Sequence, residues 1–158
     1  MPIRHLLLET VVHLGPLQII EDLSAADAIR PPAPHMHSVA GLIGHMEFWQ
    51  RWILRRCRGE AVPMATHAAD GWPEVTAADW PELRRRFEAG LLEAIALGEE
   101  PGLDTPLAPA IDFPPMADYT RHDALVHIAQ HNSHHLGQVV SARQVLALWP
   151  PRAGSWTW

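Results

Sequence analysis

The chain has one cysteine, no lysine and no uninterrupted apolar run long enough to span a membrane. The lone Cys57 excludes an intrachain disulfide framework, which fits a reducing cytoplasm. Nothing around Cys57 marks a reactive thiol, so structural filler is its expected role. Without about 18 consecutive apolar residues, no transmembrane helix is expected. Near the N-terminus Arg4 precedes an apolar run, but His5, Glu9 and His13 break it before it resembles a signal peptide. A soluble, cytoplasmic protein is the expectation. All 12 cationic residues are arginine, which we read as compositional bias. They form no basic stripe, and the formal net charge is -6. A nucleic-acid binder needs clustered cations to neutralise phosphates, so neither nucleic acid nor membrane is an expected partner.

What is present describes a folded protein. With 158 residues, 47% of them hydrophobic and 19% charged, the chain fits one domain over 1–158 with a real core. The surplus lies in histidine. There are 11, and five of them fall between His122 and His135.

Periodicity predicts four helices. The first spans roughly Pro2 to Glu21, with Leu6, Leu7, Val11, Leu14, Leu17 and Ile20 near helical spacing. Gly15-Pro16 should kink or interrupt it. The second begins near Ser38, a plausible N-cap, and runs to about Arg58 before Gly59. Leu42, Met46, Trp49 and Ile53 form its buried stripe. A loop with Pro63, Gly71 and Pro73 follows. The third helix starts near Asp79, with Pro81 in an early position, and ends near Gly98. Leu83, Phe87, Leu91 and Ile95 face the core, while Arg84, Arg85 and Arg86 read as solvated surface. The stretch from Pro101 to Ala117 holds five prolines and no periodicity, so it is a long crossing connection. The fourth helix starts at Thr120, whose spacing to Asp123 suits a capping box. It runs to about Leu148, roughly 40 Å, and Pro150-Pro151 stops it. No strand pattern competes with these helices, and the fold class is all-α, a four-helix bundle.

The chemistry concentrates in the fourth helix, in His127-Ile-Ala-Gln-His131-Asn-Ser-His134-His135-Leu-Gly137-Gln138. Residues four apart lie one turn apart on one face, so His131 and His135 can direct two imidazoles at one point, a common way for a helix to hold zinc or a similar metal. A third ligand must come from another element. His45, beside the apolar stripe of the second helix, is the best candidate, although a lone inward histidine is more often a hydrogen-bonded core residue. His127 is its main competitor. His127, His131 and His134 also share a face, so periodicity alone does not choose the pair. A carboxylate-bridged di-iron bundle is excluded because no Glu-x-x-His occurs. A zincin is excluded because Asn132 stands where its glutamate would be.

Taken together, Ala-Gly-Leu-Ile-Gly-His45-Met-Glu-Phe-Trp49 and His127-x-x-x-His131-x-x-His134-His135-Leu-Gly137-Gln138 resemble the DinB/YfiT-like superfamily. Arg143-Gln144 and the Trp149-Pro-Pro…Trp156 tail resemble one branch of it, so the likeness spans most of the chain. It implies a four-helix bundle of DinB/YfiT-like type with long crossing connections. It also implies three histidines binding one divalent metal, which map onto His45, His131 and His135 and leave His127 and His134 as neighbours. Gly137, inside a helix, is expected to permit close approach of another element. Gln138 could hydrogen-bond near the site or serve as a buried structural amide. The tryptophan-rich tail reads as a core plug, and His5, His13, His35, His37 and His67 as surface residues.

Three imidazoles leave an open coordination position, the mark of a catalytic site. The resemblance implies a thiol S-transferase-like enzyme, in which the metal (zinc or nickel) lowers the pKa of a low-molecular-weight thiol, or a metal-assisted hydrolase. Its partner would be a small-molecule substrate, and a homodimer is possible. The alternative is a non-enzymatic metal-binding stress-response protein. No residue stands out as a general base. Glu47 lies near His45 in sequence but is turned away from it by two positions.

Overall fold

The structure, a computed structural model, describes residues 1–9 and 12–155. The predicted all-α class holds. Among the described residues there are six α-helices and no strand, only an isolated bridge between Pro106 and Thr120. The helices are α1 (Ile3–Leu7), α2 (Pro16–Ile19), α3 (Ala25–Ala28), α4 (Val39–Cys57), α5 (Trp80–Glu99) and α6 (Arg121–Val145). Single 3₁₀ turns lie at Ala68–Gly71 and Pro114–Met116.

The three long helices start and stop where their caps dictate. Ser38 Oγ accepts from the Gly41 amide at 3.1 Å and opens α4. Such a cap is worth about 1 kcal/mol. Gly59, at φ +84°, ends α4 by letting the Glu60 amide reach back to the Arg55 carbonyl and its own amide to that of Arg56. At α6, Thr120 and Asp123 form the predicted reciprocal box, with the Asp123 amide donating to Thr120 Oγ1 and the Thr120 amide to Asp123 Oδ2. Helix α5 starts just after Asp79, as predicted. The Asp79 carboxylate does not cap α5 but accepts from the amide and hydroxyl of Thr76, shaping the turn that leads into the helix.

The first predicted helix is interrupted before Gly15-Pro16, and its span holds two short helices, α1 and α2. Pro16 opens α2 at an early helical position, which a proline permits. Asp22, at φ 53°, then stops the chain before α3. The apolar spacing survives the break, because Leu7, Leu14 and Ile20 are all buried. Val11 and the tail residues Trp156 and Trp158 lie outside the described residues.

Helix α4 is the centre of the bundle and packs on both α5 and α6, while α1 lies against α5 and α6 and α2 against α6. Leu42, Met46 and Ile53 of α4, and Leu83, Phe87, Leu91 and Ile95 of α5, are buried as their periodicity required. One polar chain crosses this core. Asn132 of α6 donates to Gln50 of α4 at 3.1 Å, and Gln50 donates to the Phe87 carbonyl of α5 at 2.9 Å. Gly90 makes room for it, since a Cβ there would strike the Gln50 amide. This chain fixes the axial position of α4 against α6, and with it which histidines can meet. At the far end Arg143, only 1% exposed, donates to the carbonyls of Ile19 and Leu148 and to Asp22. The guanidinium therefore ties α2 and the chain after α6 together with its hydrogen-bonding capacity used, as a buried cation requires.

Candidate metal centre

The inward face of α6 repeats as Leu125, Ile128, Ala129, Asn132, His135, Leu136, Val139 and Ala142. Its apolar order is interrupted where α4 comes closest. His135 is buried there, and His131, one turn earlier, is half-buried on the same side. From α4 the buried His45 faces them. His45 Nε2 and His131 Nε2 are 3.2 Å apart, and the ring centroids of His45 and His135 are 4.7 Å apart. One nitrogen from each of the three histidines lies within 4.8 Å of the others, a group that could hold a metal ion.

The second nitrogen of two of these rings is already committed. His45 Nδ1 donates to the Gly71 carbonyl at 2.7 Å, and His135 Nδ1 donates to Gln138 Oε1 at 2.7 Å. A neutral ring that donates from Nδ1 carries its lone pair on Nε2, so both rings are set in the tautomer that binds a metal. Burial lowers the pKa of His45 and His135 and brings that of His131 down to about 3, with neighbouring imidazoles adding to the effect. The neutral, ligating form is thereby favoured. Tetrahedral zinc with nitrogen ligands at about 2.0–2.1 Å needs nitrogens about 3.3 Å apart. The His45–His131 spacing meets that requirement, so the donor set fits a metal.

A sequence model of the DinB superfamily matches residues 17–139, which include all three histidines. The chain belongs to the DinB superfamily. No curated protein and no solved structure gives a match.

Around this DinB-type cluster the remaining histidines sort by contact. His127 stays outside it. Its Nδ1 is 3.0 Å from the Tyr119 hydroxyl, and its ring centroid is 6.3 Å from that of His131. Burial also lowers its pKa. His134 is exposed and only edges against His135. His13 is half-buried, not superficial, and its Nε2 lies 3.2 Å from Ser133 Oγ. His37 is exposed but not idle, because it stacks on Trp72 at 3.7 Å, and Trp72 stacks on His45 at 3.8 Å. An indole thus covers one face of the central imidazole. The sequence reading placed Gly71 in a loop but missed its role and that of Trp72, although a Gly-Trp-Pro run in the loop after a histidine-bearing helix was a visible signal.

Three further residues find their places. A Cβ on Gly137 would meet nothing within 4 Å, so this glycine does not serve close packing within the chain. Gln138 is exposed and holds His135, which rules out a buried structural amide. Glu47 is buried and paired with Arg51 at 3.2 Å and Arg86 at 3.5 Å, so it is a structural carboxylate and Arg86 is not simply solvated. Cys57 is buried, and burial pushes its thiol up to about 11, which leaves it inert at neutral pH. Among the described residues no helix is long and apolar enough to cross a membrane.

Proposed function

We propose that His45, His131 and His135 hold one divalent metal, zinc or nickel, and that the protein is a metal-dependent enzyme acting on a small molecule. The observation that carries this reading is the 3.2 Å approach of His45 Nε2 to His131 Nε2, with His45 Nδ1 already bound to the Gly71 carbonyl. A lone pair aimed at a second imidazole in a buried site is best satisfied by a cation. Imidazole ligands suit zinc and nickel among divalent metals.

Among the described residues, no fourth histidine, cysteine or carboxylate joins the group. A structural metal site usually closes its shell with four protein ligands, whereas a catalytic one keeps a position for water or substrate. This favours an enzyme over a non-enzymatic metal-binding protein. When bound, such a cation lowers the pKa of a thiol or water and polarises an electrophile. The chain's own part is orientation and exclusion of water. Gly71 and Gln138 fix two ring orientations, and Trp72 shields one face of His45. If Tyr119 donates to His127 Nδ1, the neutral His127 ring carries its proton on Nε2, where it is available to a bound molecule. Thiol S-transfer, with a low-molecular-weight thiol as co-substrate, is the first choice of reaction and hydrolysis the second.

Metal analysis of protein purified without chelator, followed by a thiol-transferase and hydrolase panel, tests the proposal. About one metal per chain is expected, with turnover in the loaded protein and none in the apo form or in His135→Ala. Loaded protein that is no faster than apo protein, together with a cobalt spectrum of four protein ligands, would return the site to a structural role.

A further inference from the structure

Beside the three histidines lies a cavity of about 310 Å³. Its walls are Trp49, Trp52 and Ile53 of α4, Met64 of the following loop, and Phe113 and Met116 at the second 3₁₀ turn. His127 and His131 close it on the side of α6. The volume sits at the small end of the range for sites that hold small molecules. Trp49 and Trp52 stand edge to face, with centroids 5.8 Å apart at 73°, and make a corner against which a flat ring can lie. Met64 and Met116 add polarizable sulfur, which packs well on aromatic edges.

Among the described residues no charged side chain lines this cavity. The Arg56 guanidinium lies 6.0 Å from the Trp52 centroid but donates to the carbonyls of Glu60, Pro109 and Ala110. In the metal-free protein an anionic ligand would therefore be desolvated here without a cation to pair with, which is unfavourable. The arginines gather elsewhere. Arg51, Arg55, Arg58, Arg85 and Arg86 line a different cleft between α4 and α5, which none of the three histidines reaches. Besides the two indole N–H groups, the polar side-chain groups among the described lining residues are the two imidazoles. His131 is shared with the candidate metal group, so a molecule seated against the tryptophans has one end at that group.

We infer that this cavity binds an uncharged aromatic small molecule, its ring against Trp49 and Trp52 and its polar end toward His131. That end's role in a reaction rests on the metal-enzyme reading, whereas the class of ligand rests on the cavity alone. Calorimetric titration of the full chain, stripped of metal by a chelator, with 2-naphthol and with 2-naphthoate tests it, since the two share a ring system and differ in charge. 2-Naphthol is expected to bind, and 2-naphthoate at least tenfold more weakly. Met64→Glu, which puts a charge in a half-buried wall, should weaken 2-naphthol at least tenfold. Phe113→Ala, at the exposed rim, should weaken it several-fold. Both variants should keep helical circular dichroism and wild-type metal content. Cobalt in the histidine site should broaden the resonances of bound 2-naphthol. Equal affinity for the two probes, or wild-type 2-naphthol binding by both folded variants, overturns the inference. If the chain holds no metal yet 2-naphthol binds and the variants weaken it, the ligand class stands and the metal reading falls.

Discussion

The carbonyl oxygen of Gly71 lies 2.7 Å from Nδ1 of His45 and fixes the ring whose other nitrogen faces α6. Only glycine fits at this position as it stands. A Cβ there would sit 2.7 Å from Trp49 Nε1 and 3.1 Å from its Cε2. Gly71→Ala must therefore move the 3₁₀ turn, the indole or both, and displace the carbonyl from His45. Loss of an outer-shell partner of this kind typically costs about 10–100-fold in metal affinity. Competition with a chromophoric chelator should show a loss in that range. Wild-type affinity in the alanine variant would mean that the carbonyl does not position the ring.

The ligand assignment predicts an order among histidine variants. His131→Ala, His135→Ala and His45→Ala should each weaken or abolish metal binding, whereas His67→Ala should not. His127→Ala should retain far more metal than His45→Ala, because His127 is engaged with Tyr119 and stands outside the group. Metal content by elemental analysis checks each variant. Full occupancy in the His131→Ala, His135→Ala double variant is incompatible with the site.

Acid should destabilise the metal-free protein early. The pKa values of His45, His127, His131 and His135 are all lowered from 6.5 by burial, that of His131 to about 3. Below about pH 6.5 the unfolded chain therefore binds more protons than the folded one, and stability rises with pH. The penalty is absent above that pH and grows as pH falls through it toward the folded values. Thermal melts of apo protein between about pH 7 and pH 5, above most carboxylate titrations, should show Tm falling with pH. His131→Gln should flatten the slope. A level profile in the wild type would contradict the burial of neutral imidazoles.

Helix α6 ends on a strained residue. Ala147 adopts φ 58°, while its amide bonds the Gln144 carbonyl at 3.1 Å and the Leu148 amide bonds that of Arg143 at 2.8 Å. This is the hydrogen-bond pattern that glycine usually completes. Ala147→Gly relieves the Cβ clash of the left-handed conformation at some cost in unfolded-chain entropy, and should stabilise the protein by about 0.5–1 kcal/mol. Urea denaturation checks this, and metal content should stay unchanged because the residue is remote from the histidine group.

Helix α4, helix α5 and the start of α6 were legible because their signals are local. Ser38, Thr120 and Asp123 announce helix starts through side-chain bonds to amides three residues away. The stripe of Leu83, Phe87, Leu91 and Ile95 reports its buried face through period alone. The i, i+4 spacing also set His131 and His135 on one side of a helix. The broken N-terminal arm was less legible. Its apolar spacing suited one helix, whereas α1 lies against α5 and α6 and α2 against α6.

Which histidine completes the group lay beyond local reading, since His45 and His131 are 86 residues apart. The apolar stripe beside it made His45 the best candidate, periodicity left His127 open as a rival, and the family likeness chose between them. What brings His45 to His131 is the register of α4 on α6, set by the Gln50–Asn132 bond and the burial around it. The same is true of the partners that orient the rings. Gly71 reaches His45 across a loop, and Trp72 covers it from that loop, so neither contact has a fixed sequence spacing to reveal it. The sequence by itself determined the three long helices, the N-caps of α4 and α6 and the two imidazoles one turn apart, because hydrogen bonds and period act over a few residues. Only the tertiary structure decided the third imidazole, the carbonyl behind it and the aromatic cavity beside it, because each is a meeting of distant segments fixed by how the core packs.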